Sequence, residues 1–467
     1  MNNLKILFLS IIVLLSVGKA FSFEIVYPKS KEVTINSDKT FFIGNEKPQA
    51  ELKINGENVN IHPSGGFYHV VKLSGGENSF EISNGEYAEI YKIIKPLKSA
   101  SAPKIIQKIY DNAEYFETAL DNVPLRATPV DFGINRLQHL EKGIILCIVG
   151  EYGNFYKVQL AQDYYAWIDK SHVKKTEFCE NSPAQILSYT YEEDKVKRSF
   201  KIKLSKKVPY ILSEARSYDL TGGDYQAYVD GLDLSIFGIE NCPDFIYSLH
   251  INQIDRFIGY KIFYTGGNEL VIEVKNPPKA TRFQPLKNYK ITLDPGHGGS
   301  ETGAIGCLGD NEKDINLAIA LKLKPLLEKA GAKVFMTRID DTEVSLSDRV
   351  KLSQANDSDI FISIHNNALP DSLADSNRSG TSIYYFYPQS NNIAQQLLKN
   401  MTAELSMNND KVRQESFAVI RNTESLSVLI EVGYMIVPED NAKLINPEFQ
   451  QKVAQSILNG LVKYVQK

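Results

Sequence analysis

Residues 289–299, Tyr289-Lys-Ile-Thr-Leu-Asp-Pro-Gly-His-Gly-Gly299, read as a strand running straight into a glycine-rich turn. Further strand-like runs follow at Lys333–Met336, Ile360–Ile364, Ser382–Phe386 and Val428–Val432. Helical patterns lie between them. Glu312–Ala330 puts Ile315, Ile319, Leu323, Leu326, Leu327 and Ala330 on one stripe, and Gly331 follows as a C′ residue. Gln389–Ser406 and Glu448–Val465 are also amphipathic. Pro325 inside the first of these helices predicts a kink or a loss of one turn, because it removes a backbone donor. Strands alternating with helices of this length predict an α/β domain over residues 288–467, with a mostly parallel sheet and helices on both faces.

Upstream the chain changes character. A length of 467 residues suggests three or four folding units, and 25 Tyr and 22 Phe against one Trp favour β-rich ones. In 23–97, Leu52-Lys-Ile-Asn-Gly56 and Glu81-Ile-Ser-Asn-Gly85 each set an Asn-Gly pair after a strand, a hairpin signal. This stretch is similar to the immunoglobulin-like β-sandwich modules of bacterial surface enzymes. Val123-Pro-Leu-Arg-Ala-Thr-Pro129, with strands at Tyr156–Leu160 and Tyr165–Ile168, resembles a bacterial SH3-like barrel over 105–178. Trp167 there is expected in the core rather than as a ligand platform. Residues 183–280 hold alternating strands at Phe200–Leu204, Tyr260–Tyr264 and Leu270–Val274, closed by Asn276-Pro-Pro-Lys279. They are expected to form a β-rich targeting or spacer module.

Residues 1–22 combine Lys5, an apolar run from Ile6 to Val17 and Ala20-Phe-Ser22, the pattern of a cleaved signal peptide. Export to the periplasm or cell envelope, or full secretion, is the expectation, with no transmembrane segment left after cleavage. A net charge of −4 provides no basic footprint and argues against nucleic acid. Export also opens the way to disulfides. Four cysteines permit three connectivities, and the sequence does not choose among them; Cys179 and Cys242 bracket one module and are the first pair to test, while Cys147, inside an apolar strand, is expected as a small buried hydrophobe.

The chemistry gathers at strand ends. His297 follows the first strand, Glu312 opens a helix that Asp310 or Asn311 can cap, His365 ends the strand at 360–364, and Glu431 sits in the last strand. Ligands of open parallel sheets bind beyond the carboxyl ends of the strands, so these four converge on one edge. Two histidines and a carboxylate suit Zn2+ with one coordination position left for water. Taken singly, each has a duller explanation: a loop histidine bonded to backbone, or a first-turn glutamate favoured by the helix dipole. Glu431 resists it most, since a carboxylate between Ile430 and Val432 is costly unless paired or functional.

Leu293-Asp-Pro-Gly-His-Gly-Gly299, Asn311-Glu-Lys-Asp-Ile-Asn-Leu317, Ser363-Ile-His-Asn-Asn-Ala368 and Val428-Leu-Ile-Glu-Val-Gly433 resemble, in order, the motifs of the zinc-dependent N-acetylmuramoyl-L-alanine amidases. The resemblance implies that His297, Glu312 and His365 are zinc ligands and that Glu431 is the catalytic base. It also implies that Arg421-Asn-Thr423 lines the site. The implied activity is hydrolysis of the bond between N-acetylmuramic acid and L-alanine in peptidoglycan, with an activator protein as a candidate partner. Asn366, where relatives often carry Ala or His, and Tyr434-Met-Ile-Val-Pro438 depart from the pattern without removing a ligand. Leu369–Gly380 is too short and polar to form a plug, so an open cleft is expected. Two rival readings are a catalytically silent wall-binding protein and a zinc peptidase acting on wall peptides.

Overall fold

The computed structural model describes residues 23–97, 106–176, 183–219, 226–242, 244, 246–252 and 257–466. The export segment expected at 1–22 lies outside them, as does Cys179, one half of the first disulfide pair to test.

The first part is a two-sheet sandwich. Glu24–Tyr27, Lys39–Asn45 and Gly66–Lys72 form a three-stranded sheet, and a five-stranded sheet faces it. Phe42 of the first sheet meets Phe80 and Tyr91 of the second edge-on, at 5.5 and 5.6 Å between ring centres. Asn55 and Gly56, both at positive φ, make the two-residue turn between Lys53–Ile54 and Glu57–Asn58.

A seven-stranded antiparallel sheet follows within residues 108–175, and two smaller sheets, of four and three strands, fill 186–275. One hydrophobic cluster runs through both regions, from Leu125 and Leu146 to Tyr210, Ile236 and Ile272. Glu141 links them by polar contact: it accepts from the Tyr210 hydroxyl at 2.9 Å and from the Tyr264 amide at 3.1 Å. Cys147 lies half-buried in Ile145–Tyr152, on the face opposite buried Leu146 and Ile148, so it is not the core residue its apolar surroundings predicted. Strand alternation put it outside. Trp167 is likewise half-buried, edge-on to Tyr152.

The C-terminal domain is α/β. Its elements, numbered within it, are β1 Lys290–Pro295, α1 Glu312–Lys329, β2 Lys333–Met336, α2 Leu346–Ala355, β3 Ile360–Asn367, β4 Thr381–Tyr385, α3 Asn391–Leu405, β5 Asn409–Gln414, β6 Leu426–Tyr434, α4 Pro438–Leu444 and α5 Pro447–Val465. The sheet order is β2-β1-β3-β6-β4-β5, parallel except for the β4–β6 pair. It is therefore a mixed sheet. Ile360, Ile362 and Ile364 of β3 and Val428 and Ile430 of β6 point to one face, where α1, α3 and α5 cover them. Phe361 and Leu429 point to the other, against Val419 and Ile420. No helix among the described residues is long and apolar enough to cross a membrane.

Two local expectations need correction, and one helix was not expected. Helix α1 runs through Pro325 without interruption. The carbonyl that Pro325 leaves without its donor belongs to Leu321, which is 44% exposed, so water can serve it. Asn311 stands at the N-cap but makes no capping bond with its side chain. Loop carbonyls cap instead: the amides of Glu312 and Lys313 donate to the carbonyls of Ala304 and Thr302. Helix α2 is absent from the sequence reading, although Ser345-Leu-Ser-Asp348 is a capping signature, and the Ser345 hydroxyl does accept from the Asp348 amide.

Burial pushes the Glu141 carboxyl up, against the hydrogen bonds that hold it. Glu141→Ala strands Tyr210 and the Tyr264 amide, and should cost about 2 kcal/mol. Urea unfolding followed by tyrosine fluorescence should show the lowered midpoint.

Candidate metal centre

The carboxyl ends of β1 and β3 and the start of α1 converge. His297 Nε2 lies 3.2 Å from Glu312 Oε2, and His365 Nδ1 lies 2.9 Å from Glu312 Oε1. All three donor atoms fall within 4.8 Å of one another. Ligands at about 2.0–2.1 Å from a tetrahedral ion stand about 3.3 Å apart, so the two contacts to Glu312 already match a small cation, and a pair as wide as 4.8 Å has to close by about 1.5 Å to hold one.

Glu312 is buried and fully bonded. Besides the imidazoles, it accepts from the amides of Ala304 at 2.8 Å and Asn366 at 3.0 Å and from the Asn316 side chain at 3.2 Å. Burial works against its charge, but hydrogen bonds and charge from His297 and His365 outweigh it and hold the carboxyl well below the usual carboxylate range. For His297, burial lowers the pKa, while the bond to Glu312 and its charge more than restore it, for a net rise. Asn316 and Asn366 escaped the sequence reading as participants. Asn316 stands one helical turn after Glu312, a spacing that puts both on one face. Asn366 donates to Asn316 at 2.8 Å and so ties β3 to α1.

Glu431 pairs in register with His365 on one side and Ser382 on the other. Neighbouring strands are about 4.8 Å apart, so the three side chains share one face. Glu431 Oε2 and Ser382 Oγ are both buried without a hydrogen-bond partner. Burial, and then repulsion from Glu312, push the Glu431 carboxyl far above the ordinary range. Arg421-Asn-Thr423 lies elsewhere, ahead of β6 at the end away from Glu431, where Arg421 donates to the Ser416 carbonyl.

His297 sits in the left-handed region at φ 59°, and two buried arginines hold the turn around it. Arg349 of α2 donates to Asp294 at 2.7 Å and to the carbonyls of Pro295, His297 and Val344. Arg338 donates to the carbonyls of Pro295, Gly296, Asp340 and Lys313. Asp294 is completed by Thr337 and Ser363, each at 2.7 Å. Two glycines then let the pieces touch. A Cβ on Gly296 would lie 2.1 Å from His365 Nε2, and one on Gly303 would lie 2.4 Å from Glu312 Oε2.

Arg349→Met removes one partner of a buried ion pair and strands the carbonyls, so it should cost about 3–5 kcal/mol. Chemical denaturation of the full chain measures this; a loss under 1 kcal/mol would show that Asp294 is stably held without Arg349.

The family profile described as N-acetylmuramoyl-L-alanine amidase matches residues 291–463. The probable cell wall amidase LytH of Staphylococcus epidermidis (strain ATCC 12228 / FDA PCI 1200) is 40% identical over 183 residues, 38% of this chain and 60% of LytH. The uncharacterized protein YqiI of Bacillus subtilis (strain 168) is 34% identical over 191 residues, 40% of this chain and 90% of YqiI. The solved catalytic domain of CwlV, an N-acetylmuramoyl-L-alanine amidase from Bacillus (Paenibacillus) polymyxa var. colistinus, is 34% identical; the match covers 38% of this chain and 98% of that domain, at a TM-score of 0.36. The chain spans 60% of the length of the LytH relative it matches. By its profile match, the stretch 291–463 of the chain belongs to the N-acetylmuramoyl-L-alanine amidase family.

Proposed function

We propose that this chain hydrolyses the amide between N-acetylmuramic acid and the L-alanine of peptidoglycan stem peptides, using zinc held by His297, Glu312 and His365, with Glu431 as general base. The observation that carries the reading is the orphaned Glu431 Oε2, buried on the same face as His365. An unpaired buried carboxylate costs several kcal/mol (roughly 1–3 or more), and a fold keeps one where a ligand or reaction uses it. The donor set, two imidazoles and one carboxylate, is that of a catalytic zinc site with an open position.

When bound, zinc supplies Lewis acidity to the amide carbonyl and to the attacking water. The protein's own groups do the rest. Glu431 takes a proton from the water as its oxygen bonds to the carbonyl carbon. As the C–N bond breaks, Glu431 returns that proton to the departing alanine nitrogen. Its raised pKa serves both steps, making the carboxylate a stronger base and its protonated form a donor within reach. Asn316 and Asn366 keep Glu312 aimed at the imidazoles, so its oxygens need not reorganise.

We read residues 23–97 as an immunoglobulin-like module, 105–178 as an SH3-like barrel and 183–280 as a targeting or spacer module, ahead of a catalytic domain at 288–467. Residues 1–22 are read as the export signal, which would bring the enzyme to the cell envelope.

Full-length protein should release free stem peptides from purified peptidoglycan, with mass spectrometry finding new L-alanine amino termini. A chelator should abolish release and added zinc restore it. Glu431→Gln should bind zinc normally and lose at least about 100-fold in kcat. Retained turnover in that variant would refute Glu431 as the base; new termini inside the peptide would refute the amidase reading in favour of a peptidase.

A further inference from the structure

The loop after β3 grips the first sandwich. Its one helical turn, Asp371–Leu373, presents Asp371 to the Tyr27 hydroxyl at 3.0 Å and to the Thr40 hydroxyl. The Tyr68 hydroxyl donates to the Ala374 carbonyl, and Lys39 pairs with Asp375. Beneath these bonds Phe41 and Ile43 of the sandwich are buried against Cys307, Leu369, Tyr434 and Ile436 of the α/β domain. The sandwich is thus seated through a core of its own at the end of the sheet that carries His297 and His365.

A cleft of about 360 Å3 remains between the two bodies. That is within the range of small-ligand sites, about 300–1,000 Å3. Its catalytic side is formed by Thr302–Ile305, Ala368–Asp371 and Ile436, and its other side by Val26, Tyr27, Lys29, Phe41 and Ile43. The cleft starts where the cluster ends. Gly303 packs against Glu312 and His297, and the Ala304 amide bonds Glu312. Ala368 is three residues past His365, at most about 10 Å of extended chain.

We propose that the first sandwich supplies one wall of the subsite that receives the peptide side of the cleaved amide; the proposal rests on the amidase reading above. The walls decide between the two halves of the substrate. A glycan brings hydroxyls that each need a partner once removed from water. Here the cleft's hydroxyls are already engaged, Tyr27 with the Asp371 carboxylate and Thr302 with the Gly303 carbonyl, and the remaining walls are largely apolar apart from Lys29. A stem peptide that begins with alanine brings methyl groups, which gain by contact with Val26, Phe41 and Ile43. Its carboxylates would meet exposed Lys29 at the rim.

The test uses the full chain and two soluble substrates, a disaccharide carrying L-alanine alone and one carrying a tetrapeptide. The unaltered protein should show a lower KM for the tetrapeptide substrate. Lys29→Glu, at an exposed position, should raise that KM about fivefold more than the KM for the single-residue substrate. Val26→Trp, which narrows the cleft without touching the bonds to Asp371, should discriminate in the same direction. Equal effects on both substrates, or none, would overturn the proposal. If the unaltered chain cleaves neither substrate, the amidase reading falls, and the subsite with it.

Discussion

A left-handed turn at His297 aims three successive carbonyls, from Pro295 to His297, into the protein interior. Each buried carbonyl must find a donor or cost about 1–3 kcal/mol. Arg338 and Arg349 answer that demand with planar guanidinium groups, whose several N–H donors can serve different acceptors at once. Asp294, at the end of β1, balances the charge of Arg349 and is itself held by three donors. No lysine could do this, since its ammonium is a compact, strongly hydrated charge. The position of His297, and through it the shape of the whole cluster, follows from this buried framework.

The parts of this arrangement that were legible in the sequence are those with a local signature. The strands at 333–336 and 260–264 were read to the residue, because apolar periodicity is a short-range property. His297, Glu312, His365 and Glu431 were legible as a set because each stands at a strand or helix end, and topology alone brings such ends together. The arginines were not. Nothing around Arg338 or Arg349 distinguishes a buried guanidinium from a solvated one, and their acceptors at the His297 turn lie 42–55 residues earlier in the chain. Leu369–Gly380 was read correctly as polar, yet its carboxylates face a sandwich more than 300 residues away. A polar composition says that a loop needs partners, and it does not say where they are.

The β-rich segments hold the C-terminal sheet at opposite ends. Tyr260 and Lys275 bond to Thr423 and Ser358, just ahead of β6 and β3. The first sandwich meets the residues just after β3 and β6. Contacts at the strand starts can brace the sheet but stand a full strand length from the chemistry, roughly 20 Å for six residues. Contacts at the strand ends are different in kind, because the loops they fix are the walls of the site. A sandwich attached there forms part of the shape of the cleft. The first sandwich therefore shares a cleft with the loops that border His297 and Glu312.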